Sequence, residues 1–215
     1  MAMWGREPSM VTEQAALAGR AAYPYRVPDT HEILGTPLDG PWPEGSEVAV
    51  LGMGCFWGVE RIFWQLDGVY STSAGYAGGF TPFPTYEETC TGRTGHAEVV
   101  RVVFDPTKLS YEQLLKTFFE NHDPTTKWRQ GNDIGTQYRS VILTSSLEQA
   151  ETAERVRAIY QAELTERGYG QISTDIEPLG IYYLAEDYHQ QYLHKNPAGY
   201  CNHGFNGVAC PVGLA

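Results

Sequence analysis

Positive charge is scarce in this sequence. Its 215 residues carry 15 Lys and Arg against 26 Asp and Glu, which gives a formal net charge of −11. Proteins that bind nucleic acid hold the phosphates with clustered Lys and Arg, and anionic membrane surfaces attract the same side chains. The charge balance therefore argues against both kinds of partner.

Long apolar runs are missing as well. The longest stretch without charge, residues 68–86, is rich in Gly, Ser, Thr and Pro, so it lacks the composition of a membrane span. Residues 1–8, MAMWGREP, show no basic segment followed by an apolar one, and no secretory signal is visible there. We therefore expect a protein of the cytoplasm without a membrane segment.

Cysteine is also sparse, with four in the chain. In a reducing compartment, a few cysteines indicate catalytic, redox or metal-binding thiols rather than structural disulfides. A length of 215 residues and an apolar content of 42% are enough for one sizeable core. The composition thus predicts a single globular domain with thiol chemistry.

One of the cysteines stands where a strand is predicted to turn into a helix. Residues 48–58 read VAVLGMGCFWG, an apolar stretch that meets two glycines and then Cys55. The apolar residues that follow have the spacing of one helical face: Val59, Ile62, Phe63 and Leu66. Because the unpaired N–H groups and the positive dipole end of a helix favour the nucleophilic thiolate, Cys55 is the predicted catalytic thiol. The alternative is a small buried apolar cysteine.

The rest of the chain alternates strands with helices. Strands are predicted at residues 48–52, 69–77, 98–104, 138–144 and 176–184. Helices are predicted from residue 55 and over 111–119, 145–167 and 188–194, with a short one at 11–22. Residues 80–95 and 121–136 are predicted loops. Two βαβ-like halves of this kind indicate an α/β or α+β fold with helices packed on a sheet.

The two ends of the chain differ from its middle. Residues 1–46 hold six of the thirteen prolines and are predicted to form an extension rather than a domain. Residues 47–195 form the predicted catalytic α/β domain. Residues 196–215 are glycine-rich and are predicted to be a flexible tail that carries Cys201 and Cys210.

Several polar residues could serve a thiol at Cys55. Glu98 begins a strand on the same face as Val100 and Val102, where loss of solvation would raise its pKa and let it hold a proton at neutral pH. A strand-end glutamate in water is the alternative. The other candidates are two hydroxyl donors and a turn carboxylate that also suits a purely structural role: Tyr86, Tyr138 and Asp133.

The tail cysteines allow three interpretations. Glycines around them suggest a mobile segment that carries a thiol inward to Cys55, and exposed thiols in such a segment are reactive. A metal site of Cys201, His203 and Cys210 is possible, but it lacks CxxC spacing and a fourth ligand. An idle pair is the third interpretation. We favour a role in recycling Cys55.

Five short motifs, in this order, resemble peptide-methionine sulfoxide reductase A. They are GCFWG at 54–58, GYAGG at 75–79, GHAE at 95–98, DPT at 123–125 and GTQYRS at 135–140. The resemblance runs from about Val48 to Tyr192, and GCFWG with GHAE is its most specific part. It implies a two-layer α/β sandwich with a ferredoxin-like core and a mixed sheet, and it implies no metal or organic cofactor.

The resemblance also implies a role for each candidate residue. Cys55 would attack the sulfur of methionine S-sulfoxide, free or in proteins, and Glu98 would protonate the sulfoxide oxygen. Tyr86 and Tyr138 would hydrogen-bond that oxygen, and Asp133 would support substrate binding. The remaining residues would form an apolar pocket for the S-methyl group: Gly54, Phe56 and Trp57.

Recycling is implied as well. Cys55 would be left as a sulfenic acid, Cys201 would condense with it, Cys210 would attack Cys201, and thioredoxin would reduce the resulting disulfide. Cys90 receives no role beyond a structural or incidental thiol. Oxidised proteins and free methionine sulfoxide are the expected substrates, and the protein is expected to be a monomer.

Two other classes of protein stay open at this point. A cysteine hydrolase would need a histidine next to Cys55, and the chain offers His96, His122, His189, His194 and His203. A redox-sensing or metal-binding module would use the tail cysteines without catalysis.

Overall fold

A computed structural model describes residues 8–213. This part of the chain contains eight strands: β1 Glu47–Met53, β2 Val69–Ala77, β3 Ala97–Phe104, β4 Arg129–Gln130, β5 Asp133–Ile134, β6 Ser140–Thr144, β7 Asp175–Pro178 and β8 Tyr183–Leu184. It also contains five α-helices: α1 Phe56–Trp64, α2 Tyr86–Cys90, α3 Tyr111–Glu120, α4 Leu147–Glu166 and α5 Tyr192–Lys195. None of these helices combines the length and the apolarity needed to cross a membrane.

Six of the strands form one sheet in the order β7-β6-β1-β3-β2-β8. The four central strands, β6, β1, β3 and β2, pair antiparallel with one another. Each of the two units β1-α1-β2 and β3-α3-β6 leaves a gap that a strand of the other unit fills, which is the ferredoxin-like arrangement. Since β7 runs parallel to β6, the sheet is mixed. The predicted fold class is confirmed.

The helices cover one face of the sheet and bury the main core. Residues of three helices meet residues of the central strands there: Val59, Phe63, Leu114, Phe118, Val156 and Tyr160 against Leu51, Val100, Val102 and Ile142. The opposite face carries a smaller cluster that includes Val50, Val99 and Val141. Because both faces are covered, every residue of β3 is buried. A carboxyl placed on this strand is therefore removed from water.

Several helix starts follow their capping signals. Ser110 and Gln113 form a capping box at the start of α3. The long helix α4 begins at Leu147 rather than at residue 145, because the hydroxyl of Ser146 accepts the N–H of Gln149 and caps it. Within the predicted loop 80–95, Thr85 and Glu88 form another capping box and start α2. That short helix was missed, although its sequence signal is present.

The helix predicted at 11–22 is wrong. Only Glu13–Ala15 makes a single 3₁₀ turn. Beyond it, the N–H groups of Leu17 and Arg20 are used by the carbonyls of Arg93 and Pro82, so they cannot support helical bonds. Long-range pairing with the 80–95 segment overrides the local tendency.

Two predicted strands also need correction. The strand predicted over 176–184 is two strands at opposite edges of the sheet: β7 pairs with β6 and β8 pairs with β2. The first strand ends at Pro178, which has no N–H for the ladder, and residues 179–182 connect the two strands. At 138–144 the strand begins only at Ser140, since Tyr138 lies in a 3₁₀ turn.

Two smaller differences remain. The predicted helix 188–194 is a 3₁₀ turn at Asp187–His189 followed by α5. The loop 121–136 holds the two-residue strands β4 and β5.

The described parts of both ends lie against the catalytic domain. In the N-terminal extension, Leu38 is 1% exposed and its carbonyl accepts a hydrogen bond from Arg101 of β3. In the C-terminal tail, Cys210 is 0% exposed and packs in the main core with Val208 and Val212. Residues 1–7 and 214–215 of these two segments lie outside the described residues. The three-part division of the chain and the flexibility of the tail stay predictions.

Candidate active site

Cys55 occupies the turn between β1 and α1, as the N-cap residue of the helix. The turn depends on Gly54, whose φ of +105° is a conformation that side chains disfavour. A Cβ at Gly54 would also lie 2.6 Å from Cβ of Gln130. Glycine here brings the strand end and the thiol tightly against the loop that holds Gln130.

The Cys55 thiol is held in its protonated form in the resting protein. The residue is 8% exposed. Burial raises the pKa of Cys55, and the charge of Glu98 raises it further, while the N–H of Trp57 opposes them. The expectation that the helix start favours the thiolate is therefore wrong for this state, because loss of solvation outweighs the helix N-terminus.

Glu98 lies on β3 beside the start of α1, opposite Tyr76 of β2. It is 1% exposed. Its Oε2 accepts the backbone N–H of Phe56 at 3.1 Å, whereas its Oε1 is buried without a hydrogen-bond partner. Burial raises the pKa of Glu98 to about 8, although the Phe56 N–H lowers it. One carboxyl oxygen is fixed by the helix and the other is free to carry a proton at neutral pH.

Tyr86 and Tyr138 complete the polar side of this site. Burial raises the pKa of both phenols, and the charge of Glu98 raises both further. Both therefore stay protonated hydrogen-bond donors at physiological pH. The charge of Cys55 also acts on Tyr138, which places that phenol within electrostatic range of the thiol.

Aromatic side chains form the apolar side. Phe56 is fully buried against Tyr76 and His189, with ring centroids 5.8 and 4.9 Å away. Trp57 is half-buried and stacks on Tyr192 at 3.8 Å. The Trp57 indole N–H donates to Nδ1 of His189 at 2.9 Å, which fixes the plane of the ring.

Asp133 faces the tail in this structure. Its Oδ2 accepts from the Tyr200 hydroxyl at 3.2 Å and from Nδ2 of Asn202 at 3.0 Å. Its charge also raises the pKa of Cys55 and of Glu98, so it belongs to the same electrostatic neighbourhood.

The two tail thiols contact different helices. Cys201 lies on α1, where Nη2 of Arg61 donates to its Sγ at 3.1 Å. The charge of Cys201 raises the pKa of Cys55, so Cys201 lies within electrostatic range of that thiol. Cys210 lies by α3, where its N–H donates to Oε1 of Glu120 at 2.7 Å and its carbonyl accepts from Lys116. Burial raises the pKa of Cys210.

Sequence reasoning missed several residues that hold the site together. Glu186 accepts the Tyr86 N–H and the Tyr76 hydroxyl, both at 2.8 Å. The run of polar residues between aromatics at 186–192, EDYHQQY, was a usable signal, because polar residues so flanked are commonly buried and bonded. Cys90 ends the short helix α2 that begins at Tyr86, and it is exposed.

The alternatives to a thiol–carboxyl site find little support. In the described part of the chain, no hydrogen bond joins Cys55 to a histidine. His96, His122 and His203 use ring nitrogens on backbone carbonyls instead. Across residues 8–213, no group of three or more His, Cys, Asp or Glu is placed to hold a metal ion.

The site places the thiol of Cys55 at a helix start and the protonated carboxyl of Glu98 next to that start, on a ferredoxin-like sandwich. These features define a thiol-dependent enzyme. The family model of peptide methionine sulfoxide reductase matches residues 47–209. The chain belongs to this family and is a peptide-methionine sulfoxide reductase that works by thiol chemistry.

Similar proteins share both the sequence and the fold. Peptide methionine sulfoxide reductase MsrA of Salinispora arenicola is 62% identical over 96% of this chain and 94% of its own. MsrA 1 of Caulobacter vibrioides is 61% identical over 95% and 94%. The structure of methionine sulfoxide reductase A of Corynebacterium diphtheriae superposes with a TM-score of 0.85 at 49% identity, covering 94% of this chain and 98% of that one.

Proposed function

We propose that this enzyme reduces the S epimer of methionine sulfoxide, free or in proteins, with Cys55 as nucleophile and Glu98 as proton donor. One observation carries the assignment. The Glu98 carboxyl is tied through Oε2 to the N–H of Phe56, the residue after Cys55, while Oε1 is buried and has no hydrogen-bond partner. A buried carboxyl with a pKa of about 8 holds a proton at pH 7 and can release it to an oxygen that gains negative charge.

The proposed first step balances within the site. The Cys55 sulfur attacks the sulfoxide sulfur as the sulfoxide oxygen takes the Glu98 proton. The S–O bond to methionine breaks, and the hydroxyl then bonds to the Cys55 sulfur as the S–S bond to methionine breaks, which leaves a sulfenic acid on Cys55 and releases methionine. Methionine sulfur is reduced by two electrons, which the Cys55 sulfur supplies. The proton of the Cys55 thiol passes to the Glu98 carboxylate, which is thereby protonated again.

The other candidate residues bind and orient the substrate in this proposal. The protonated phenols of Tyr86 and Tyr138 donate to the sulfoxide oxygen. Trp57, held by His189 and Tyr192, faces the S-methyl group together with Phe56. Gly54 lets this pocket close, because any side chain there would strike Gln130.

Asp133 supports substrate binding in the same proposal. Since its carboxylate now binds Tyr200 and Asn202, substrate would meet Asp133 only after the tail shifts.

The tail cysteines recycle the sulfenic acid in this proposal. Cys201 condenses with Cys55, Cys210 then attacks Cys201, and thioredoxin reduces the Cys201–Cys210 bond. Support comes from the position of Cys201 on α1, the helix that Cys55 caps, within electrostatic range of that thiol. A structural relative, Mxr1 from Saccharomyces cerevisiae, has also been solved in complex with Trx2.

A reducing compartment suits this cycle. All four cysteines are free thiols in the structure, and a thioredoxin-linked enzyme must return to that state after each turnover. We therefore propose the cytoplasm as its location.

The test is a single turnover of the reduced enzyme without external reductant, on each separated epimer of a methionine sulfoxide. We expect methionine from the S epimer only, with thiols lost in pairs. Cys55→Ser should form no methionine, since a hydroxyl cannot replace the thiolate. Cys90→Ser is the matched control and should keep the burst. Turnover by Cys55→Ser, or equal product from both epimers, would contradict the proposal.

A further inference from the structure

A buried imidazole nitrogen of His203 without a hydrogen-bond partner lies near the tail thiol Cys201. Nε2 of His203 lies 2.7 Å from the carbonyl oxygen of Met53. A carbonyl oxygen only accepts, so Nε2 carries the hydrogen. In a neutral imidazole the other nitrogen, Nδ1, then holds a free lone pair. Nδ1 is buried and has no hydrogen-bond partner.

This lone pair lies beside Cys201. Gly58 of α1 has no side chain, and a Cβ built there would lie 2.5 Å from Nδ1 of His203 and 2.8 Å from Sγ of Cys201. Both atoms thus converge on one point above the helix. The missing side chain of Gly58 leaves a space that the thiol and the imidazole nitrogen share, without a hydrogen bond between them.

A positive group contacts the same sulfur. Nη2 of Arg61, one turn beyond Gly58, donates to Cys201 Sγ at 3.1 Å. Within residues 8–213, the other hydrogen-bond contact of that sulfur is a long one, 3.9 Å to the His203 carbonyl oxygen. A guanidinium on the sulfur stabilises negative charge there, while the imidazole beside it can remove the proton.

We propose that His203 is the general base that activates Cys201 for attack on the oxidised Cys55. This inference rests on the proposed recycling role of Cys201. In the step, Nδ1 takes the Cys201 proton as its sulfur bonds to the Cys55 sulfur, and the S–O bond of the sulfenic acid breaks. The departing hydroxyl leaves as water with the proton that Nδ1 accepted. Cys201 sulfur is oxidised and Cys55 sulfur is reduced.

The charges around His203 are compatible with a neutral base. Burial lowers the pKa of His203 and Arg61 lowers it further, whereas the Met53 carbonyl and Asp133 raise it. His122 faces it as well, and is itself kept neutral by burial, which lowers its pKa to about 3. A neutral imidazole is thus available at pH 7, and Asp133 can stabilise the imidazolium formed in the step.

The experiment follows the second step after a single burst with methionine S-sulfoxide. His203→Gln keeps an amide donor for Met53 but removes the lone pair at Nδ1. At pH 7 we expect disulfide formation to slow by about 100-fold, within the range of general base catalysis. A sulfenic acid trappable by dimedone should accumulate. His194→Gln, the same change at an exposed histidine of α5, is the matched control.

The pH profile separates a base from a structural support. In His203→Gln, the rate of disulfide formation should rise about tenfold per pH unit as the Cys201 thiolate forms. The difference in rate between this variant and the parent enzyme should therefore become smaller at high pH. A merely displaced tail would lower the rate by one factor at every pH, and that result would overturn the inference. An unchanged rate at pH 7 would do the same.

Two further measurements cover the remaining outcomes. Nitrogen-15 shifts of His203 in the parent enzyme should report a proton on Nε2, and a proton on Nδ1 would overturn the inference even if the variant did not fold. Cys201→Ser should stop at the sulfenic acid. Paired loss of thiols in that variant would sink the proposed role of Cys201 itself. If Cys201→Ser stopped at the sulfenic acid while His203→Gln formed the disulfide at the parent rate, only the role of His203 as general base would be contradicted.

Discussion

At the scale of single residues, the site is organised by how Glu98 divides its two oxygens. Oε2 satisfies the first free N–H of α1, a task that a side-chain cap normally performs, and Cys55 makes no such cap. Oε1 is left without a partner in a dry environment, where a neutral acid is more stable than a carboxylate. The hydrogen bond from the Phe56 N–H to Glu98 therefore fixes the helix start that carries Cys55 and also leaves Oε1 of Glu98 to hold the proton.

Glu98→Gln should slow the first methionine burst by about 100-fold or more, because a carboxamide cannot release a proton. In the parent enzyme the acid form is present below pH 8 and is lost as pH rises through about 8. The burst rate should fall across that range, and the variant should lack this basic limb. Stopped-flow quenching between pH 6 and 9.5 would measure both.

The matched control for that variant is Glu60→Gln. Glu60 is a second fully buried carboxyl, with a pKa raised to about 7 by burial, and its partners are Thr72 and Gln191. The basic limb near pH 8 should persist in it. If the limb vanished from the control, or persisted in Glu98→Gln, the proton donor would lie elsewhere.

At the scale of elements, α1 serves two thiols. Its N-terminus presents Cys55, and its next turn carries the tail thiol Cys201 through Arg61. Gly58 stands between them. In a helix interior glycine costs roughly 1 kcal/mol relative to alanine, and here the missing Cβ is the space that His203 and Cys201 fill. Gly58 thus lowers the stability of α1 but leaves room for His203 and Cys201 of the tail.

Gly58→Ala should therefore uncouple the two halves of the cycle. Its Cβ would lie 2.5 Å from the His203 ring and 2.8 Å from the Cys201 sulfur, so the tail must move away. We expect methionine formation in the burst to continue while disulfide formation slows at least tenfold. Thiol titration after the burst measures the difference. Gly180→Ala, where nothing lies within 4 Å of the new Cβ, is the control. Equal rates in the two variants would contradict this use of Gly58.

At the scale of the whole molecule, the described parts of the N-terminal extension and the C-terminal tail pack against the central domain. Leu38 is fully buried from the N-terminal side, and the cation of Arg101 lies 4.9 Å from the Trp42 ring of the same segment. Leu38→Ala should lower the free energy of unfolding by about 2–5 kcal/mol, the usual cost of a buried leucine. Urea unfolding would measure it. Leu147→Ala, at an 83% exposed site, should change it by less than about 0.5 kcal/mol. Similar losses in both would mean a loosely attached extension.

Local patterns predicted the parts of the fold that local forces decide. The strand, turn and helix around Cys55 and the helix that begins at Tyr111 depend on residues close together in sequence, and both are confirmed. The two chain ends depend on partners far away in sequence, such as His203 with Met53. No periodicity encodes such a pair. For the same reason the pKa of Cys55 was misjudged, since its burial comes from segments that meet only in the fold.

The burial of Cys210 ties oxidation state to shape. In the reduced enzyme this thiol is packed in the core by α3, while Cys201 rests on α1. The bond proposed between them can form only when one of the two leaves its helix. The oxidised enzyme therefore differs from the reduced enzyme in the shape of its surface as well as in the loss of two hydrogen atoms. A reductant protein that recognises the displaced tail would bind the oxidised enzyme and would not bind reduced molecules, which contain no disulfide.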